Sequence, residues 1–181
     1  MVLATMNDTF APFDATLPDG RSVHLRAISP SDESELLQAF ARMSADARYM
    51  RFMRSVSEPN VERLRKALAT IPEHGIGIVA TVRAPDGIDI VGTCIAMIGN
   101  DPSRCEFAIT VAADHGRSGL GRVLMTALIE AARRRGLYEM EGFVLAVNQP
   151  MLRLAAGLGF TISNDPDDFS VRLCRLRLAA S

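Results

Sequence analysis

The sequence predicts an α/β fold of the α+β kind: a mixed, mostly antiparallel central sheet flanked by helices. Three observations lead there. Residues 76–82 and 90–98 are apolar and rich in β-branched side chains, and the turn sequence Ala84-Pro85-Asp86-Gly87 between them pairs the two runs antiparallel. Residues 106–124, EFAITVAADHGRSGLGRVL, pass from a strand through three glycines into an amphipathic helix. Leu36, Leu37, Phe40 and Met43 keep helical spacing and put a helix ahead of the second strand.

In chain order, residues 1–20 show no period and end in Leu17-Pro18-Asp19-Gly20, which reads as an extended N-terminal arm closing in a turn, with a single domain over residues 21–181. Val23, Leu25 and Ala27 alternate with Ser22, His24 and Arg26, the period of a half-buried strand. Ser29 and Pro30 suit the start of the first helix, and Asp32, Glu33 and Glu35 favour its positive end. Further helices are expected over residues 44–52 and 58–70. Residues 105–111 form the fourth strand, followed by the glycine-rich turn and a helix over 119–135. A fifth strand over 139–147, a helix over 149–158 and a last strand over 171–178 complete the order. In that last strand Val171 and Leu173 differ in parity from Leu176 and Leu178, which predicts a bulge near Cys174 or Arg175.

Composition excludes several classes. A chain of 181 residues with 48% apolar content builds one core, and a net charge of −1 gives no pull toward nucleic acid or membrane. Cys94, Cys105 and Cys174 are odd in number and widely spaced, and the chain has only three histidines, which fits neither a disulfide framework nor paired zinc knuckles. The start MVLATMNDTF is too short and polar for a signal peptide, and no apolar run approaches the roughly 20 residues of a membrane helix, so a cytoplasmic location is expected.

The chemistry concentrates at the glycine-rich turn. The first N–H groups of a helix lack intrahelical partners and sit at the positive end of its dipole. Gly116, Gly119 and Gly121 remove Cβ atoms that would hold an anion away, so the turn suits a pyrophosphate. Close packing of helix on sheet is the other reading, and the turn alone leaves both open. No Gly-Lys-Ser/Thr completes a Walker loop, and no G-x-G-x-x-G follows the strand, which disfavours ATP and NAD.

At this point the sequence resembles the GNAT acyl-CoA-dependent N-acyltransferases, whose signature is Q/R-x-x-G-x-G/A after a strand ending in valine. Gly116, Arg117, Ser118, Gly119, Leu120 and Gly121 fill the six positions, with Val111 eight residues before Gly119. LRAISPSDE, SADARYMRF, CEFAITV and VLAVNQPMLRLAAGLGF follow in the order seen in the Pat-like protein-lysine acetyltransferases. The resemblance covers residues 22–178 and implies a GNAT-type sheet whose fourth and fifth strands splay apart around acetyl-CoA, the co-substrate. It implies that Val111 and Ala113 bond the pantetheine arm through their backbone and that residues from Gly116 to Arg122, Arg122 included, hold the phosphates. The family's Gln or Arg at the first loop position is Gly116 here, so Arg117 or Arg122 is left to supply positive charge.

Acyl transfer to an amine needs a base, because an ordinary lysine of pKa about 10.4 is protonated at neutral pH. Glu106 begins the fourth strand, roughly 17 Å from its end at Val111 by strand rise. Phe107, Ile109 and Val111 make an apolar face, whereas Glu106, Ala108 and Thr110 lie on the other, where small residues leave room for a ligand. The resemblance makes Glu106 the general base, and a solvated strand-end carboxylate is its structural alternative. The tyrosine that many family members use as general acid falls at Ala155, so no acid is named. Asn148 reads as a helix cap and, by resemblance, as a pantetheine contact. Arg133, Arg134 and Arg135 precede Gly136 and read as the cationic last turn of a helix. The expected partners are acetyl-CoA and an amine acceptor, a protein lysine or a small amine, with a homodimer allowed and without nucleic acid, membrane or metal. A non-catalytic acyl-CoA sensor is the alternative role.

Overall fold

The computed structural model describes residues 10–179. Eight strands form one sheet in the order β1-β2-β3-β4-β5-β6-β8-β7. They are β1 (Phe13–Thr16), β2 (Ser22–Ala27), β3 (Gly75–Ala84), β4 (Gly87–Ile98), β5 (Arg104–Val111), β6 (Glu139–Leu145), β7 (Thr161–Asn164) and β8 (Val171–Arg177). All neighbours pair antiparallel except β5 and β6. The helices are α1 (Glu33–Arg42), α2 (Ala45–Phe52), α3 (Val61–His74), α4 (Leu120–Arg134) and α5 (Gln149–Gly157). The expected mixed sheet with flanking helices is the architecture found.

Period 2 sorts side chains onto two covered faces. Ile78, Cys94, Ala96 and Phe107 join the core built on Leu124, Leu128 and Ala132 of α4, and a Cβ at Gly92 would lie 2.7 Å from Leu124. On the opposite face a Cβ at Gly77 would meet Ile28 and Ile71, so α3 covers that side. The bare glycines let helices on both sides approach the sheet. At the entry to α1, Ser29 closes a capping box with Asp32, whose buried carboxylate also takes both terminal nitrogens of Arg26 at 2.9 and 2.7 Å.

Three expectations change. The fold begins before Ser22: β1 pairs with β2 from Phe13↔Leu25 to Thr16↔Ser22, and Leu17 is 2% exposed. Four residues are too few for a period to show, and the part of the arm before residue 10 lies outside the described residues. The β6–β8 register runs unbroken from Glu139↔Arg177 to Leu145↔Val171, so there is no bulge at Cys174 or Arg175. Both faces of β8 are covered, with Cys174 in the α4 core and Val171 and Leu173 buried on the other side, which removes the need to bring both parities to one face. The register shift sits instead between Ala80↔Gly92 and Thr81↔Ile90, which leaves Val91 as the extra residue. Finally, α3 runs to His74 with Pro72 inside its last turn, past the expected stop at Thr70. Strand β7, with every residue exposed, has no buried side to betray it in sequence.

Candidate active site

The parallel ladder between β5 and β6 is three pairs long: Arg104↔Glu139, Cys105↔Met140 and Glu106↔Glu141. Past Glu106 the strands separate, which is the expected splay between the fourth and fifth strands of the sequence numbering, here β5 and β6. On the first step past the last pair, the Phe107 ring takes the space beside Gly142, where a Cβ would lie 2.3 Å from the ring. Phe160 closes over Phe107 edge-on, with ring centroids 5.3 Å apart. The free edge of β5 beyond this vertex carries backbone donors and acceptors with no strand beside them.

Glu106 sits at the vertex on the face away from α4, directly opposite Glu141. Its carboxyl is raised above the usual range by partial desolvation first and by the Glu141 charge second, while Arg51 pulls it back. Glu141 is held by Arg175 at 3.3 Å. Cys105 points to the opposite face, into the α4 core, where burial pushes its thiol up to about 12.

At the other end of β5, Ala112 N–H donates to Val91 O at the bulge, at 2.8 Å, and a short turn over Ala113–His115 leads into the glycine loop. The carbonyl of Ala113 accepts from Gly116 N–H at 3.2 Å, leaving its own N–H without a partner among the described residues. Arg117 and Gly119 take positive φ, 58° and 88°, and α4 starts at Leu120. Only glycine adopts that conformation freely, so Arg117 is held there at some strain. Gly119 is also pressed from outside, since a Cβ there would lie 2.9 Å from Pro18 in the β1–β2 turn. Arg21 in that hairpin donates to Asp114 O at 2.8 Å, so the N-terminal hairpin braces one side of the loop.

The side chains and the backbone of the loop have separate roles. Ser118 is 3% exposed, donates to His115 O at 2.5 Å and accepts from Leu120 N–H at 3.3 Å, so its hydroxyl is consumed inside the loop. Leu120 is buried in the core. The amides of Gly121 and Arg122, at the start of α4, lack intrahelical partners by helix geometry and remain for a ligand. The Arg122 guanidinium reaches across to α5, where a Cβ at Gly157 would touch it, so Arg117 is the arginine that stays at the loop. Asn148 caps α5 by accepting from Met151 N–H at 3.3 Å, as expected of a cap. Arg133 and Arg135 donate to the carbonyls of Leu178, Gly75 and Glu73, which matches their reading as structural arginines.

One residue escaped the sequence. Arg51 of α2 crosses onto the Glu106 face of β5 and donates from Nε to Thr110 Oγ1 at 3.1 Å. With Arg48 and Arg54 three positions to either side, nothing in the pattern singles it out; Arg48 turns instead to the carbonyls of Phe40 and Ser57. A cavity of about 810 Å³ between the N-terminal strand and α4 includes Arg122 but none of the vertex residues. Among the described residues no group of three or more His, Cys, Asp or Glu gathers as a metal site, and no helix is long and apolar enough to cross a membrane.

Comparison with known proteins identifies the family and the fold. The family model described as acetyltransferase (GNAT) domain matches residues 22–161. Acetyltransferase PA5475 of Pseudomonas aeruginosa is 32% identical over 163 residues, 90% of this chain and 88% of that protein. Among solved structures, the GNAT domain of S. lividans PAT superposes with a TM-score of 0.82 at 20% identity, covering 92% of this chain and 96% of that one. The acetyltransferase yncA from Salmonella typhimurium, solved with acetyl-CoA, superposes at 0.67 with 20% identity over 88% and 95% of the two chains. The chain belongs to the acetyltransferase (GNAT) domain family and is an acyl-CoA-dependent N-acetyltransferase.

Proposed function

We propose that the protein transfers an acetyl group from acetyl-CoA to a primary amine by direct attack, with Glu106 as general base and a protein lysine or a small amine as acceptor. The observation that carries this reading is the vertex itself: β5–β6 pairing stops at Glu106↔Glu141, setting a carboxylate of raised pKa at the closed end of a wedge. Bare loop amides and the positive end of α4 lie toward its open end. The wedge also fits the co-substrate, because β5 presents an unpaired backbone edge up to Val111 for the pantetheine amides, with Ala113 N–H beyond it. The loop from Gly116 to Arg122 would hold the phosphates through main-chain amides, Arg117 adding charge, and Asn148 would flank the arm.

When bound, acetyl-CoA supplies an activated thioester. The chain supplies proton management. Glu106 takes the ammonium proton from the acceptor, directly or through a water; the free amine attacks the thioester carbonyl, the C–S bond breaks, and the leaving CoA thiolate takes the proton shed by the acetylated nitrogen, directly or through water. A carboxyl whose pKa is raised toward neutrality is a better matched base than an ordinary one. Ala155, at the position of the family's tyrosine, is fully buried and has no proton to give.

Glu106→Gln tests the assignment. We expect kcat/KM to fall by about 100-fold or more, the usual worth of a general base, with unchanged affinity for acetyl-CoA. Binding is read separately by thermal shift, where acetyl-CoA at about 100 times its Kd stabilises the fold by roughly 2.7 kcal/mol. A variant that keeps its turnover removes Glu106 from the mechanism, and a wild-type protein that binds without turnover is a sensor.

A further inference from the structure

The face of β5 that carries Glu106 also carries a cation that forms no ion pair among the described residues, Glu106 acting on it only at longer range. Arg51, half-buried on α2, has its guanidinium 5.0 Å from the Phe52 ring centroid and its Nε–H fixed on the Thr110 hydroxyl. Of the five guanidinium donors this uses one. The two terminal nitrogens have no partner and no carboxylate within ion-pair distance among the described residues, yet they are not sealed from solvent. Arg63 of α3 lies near enough to repel this charge, and its own side chain has no carboxylate partner among the described residues either. A guanidinium partly withdrawn from water with no carboxylate in ion-pair contact is costly, and costlier beside a like charge. In a chain of net charge −1, such a pair is no by-product of a basic surface.

The cation has a fixed relation to the base. Glu106 and Thr110 share one face of β5, about 13 Å apart by strand rise, with the small Ala108 between them. A molecule lying along this floor meets a proton acceptor at one end and a fork of unpaired N–H donors at the other. We propose that Arg51, with Arg63 beside it, receives a carboxylate carried by the acceptor, so that the preferred acceptors are amines bearing an anion several bonds from the nitrogen. This rests on the acetyl-transfer reading above. The carboxylate comes from a free amino acid or from an acidic residue beside a lysine in a peptide, and the chemistry recognised is the same.

The test uses acceptors matched in every respect but the anion. Free lysine is compared with cadaverine, its decarboxylated counterpart, and a lysine peptide with aspartate beside the lysine is compared with the same peptide carrying asparagine. Charge-assisted recognition predicts kcat/KM at least about tenfold higher for the anionic member of one pair, and which pair shows it identifies the source. Arg51→Gln collapses that ratio toward unity, mainly through KM, Arg51→Lys keeps part of it, and the exposed Arg63→Gln lowers it a few-fold. Equal turnover of both members of both pairs by the wild type, or a preference for the members that lack the carboxylate, overturns the proposal while leaving acetyl transfer intact. So does an Arg51→Gln variant that slows all four acceptors alike, since Arg51 would then serve the helix or the base; an upward shift of the acid limb is expected in either case, because Arg51 lowers the Glu106 pKa. A protein that turns over no amine overturns both readings, and wild-type kinetics alone decide if an Arg51 variant fails to fold.

Discussion

Glu106 owes its character to two neighbours that sequence distance hides. Glu141 lies 35 positions away and faces it across the last parallel pair, and Arg51 lies 55 positions before it and balances part of that repulsion. Desolvation and the Glu141 charge both favour the protonated form, so the catalytic carboxylate appears only as pH rises above the ordinary glutamate range. The acid limb of the kcat/KM profile is therefore expected above the usual value near 4.3. Replacing Glu141 by Gln removes a like charge, lowers the Glu106 pKa and moves that limb to lower pH; a full pH–rate profile of the variant checks the direction. A limb that moves upward or stays still would detach the profile from Glu106. At this scale the strand's alternation exposed Glu106, because Phe107, Ile109 and Val111 claimed the other face, whereas Arg51 was one of three evenly spaced arginines with nothing local to distinguish it.

Among the elements, the splay is a packing device. Phe107 fills the space a Gly142 side chain would need and is itself locked by Phe160, so the vertex is held open from the α4 side. Gly142→Ala forces a methyl into the ring and is expected to destabilise the protein by about 2–3 kcal/mol in thermal denaturation, with Phe107→Leu in the same background recovering part of it. A melting temperature unchanged by the alanine would show that the ring can move and does not hold the strands. The glycine loop is likewise held by more than its own sequence. Gly119 is left-handed and lies against Pro18, so a substitution there acts on packing as well as on any phosphate. The three glycines made the turn legible; that one of them contacts the N-terminal hairpin was not, because the contact joins residues 101 positions apart.

For the molecule as a whole, the hairpin of β1 and β2 links stability to the site. Leu17 is buried at its turn, Pro18 lies on Gly119 and Arg21 bonds the Asp114 carbonyl. Leu17→Ala is expected to cost about 2–4 kcal/mol in chemical denaturation and, at temperatures where the variant stays folded, to weaken acetyl-CoA binding through the loop it braces. Undiminished affinity would leave the hairpin a purely structural role. Period, turn chemistry and capping are local and are written within a few residues, so the longer strands and helices, the strand-to-helix glycine loop, the Asn148 cap and the polar placement of Glu106 in β5 were legible, whereas β1, β7 and the two covered faces of β8 were not. Long-range packing sets where β5 and β6 part, which charges surround Glu106, that β1 extends the sheet, and that Arg51 reaches the same floor. Those outcomes depend on which distant side chains compete for one volume and one counter-charge, and no local pattern encodes that competition.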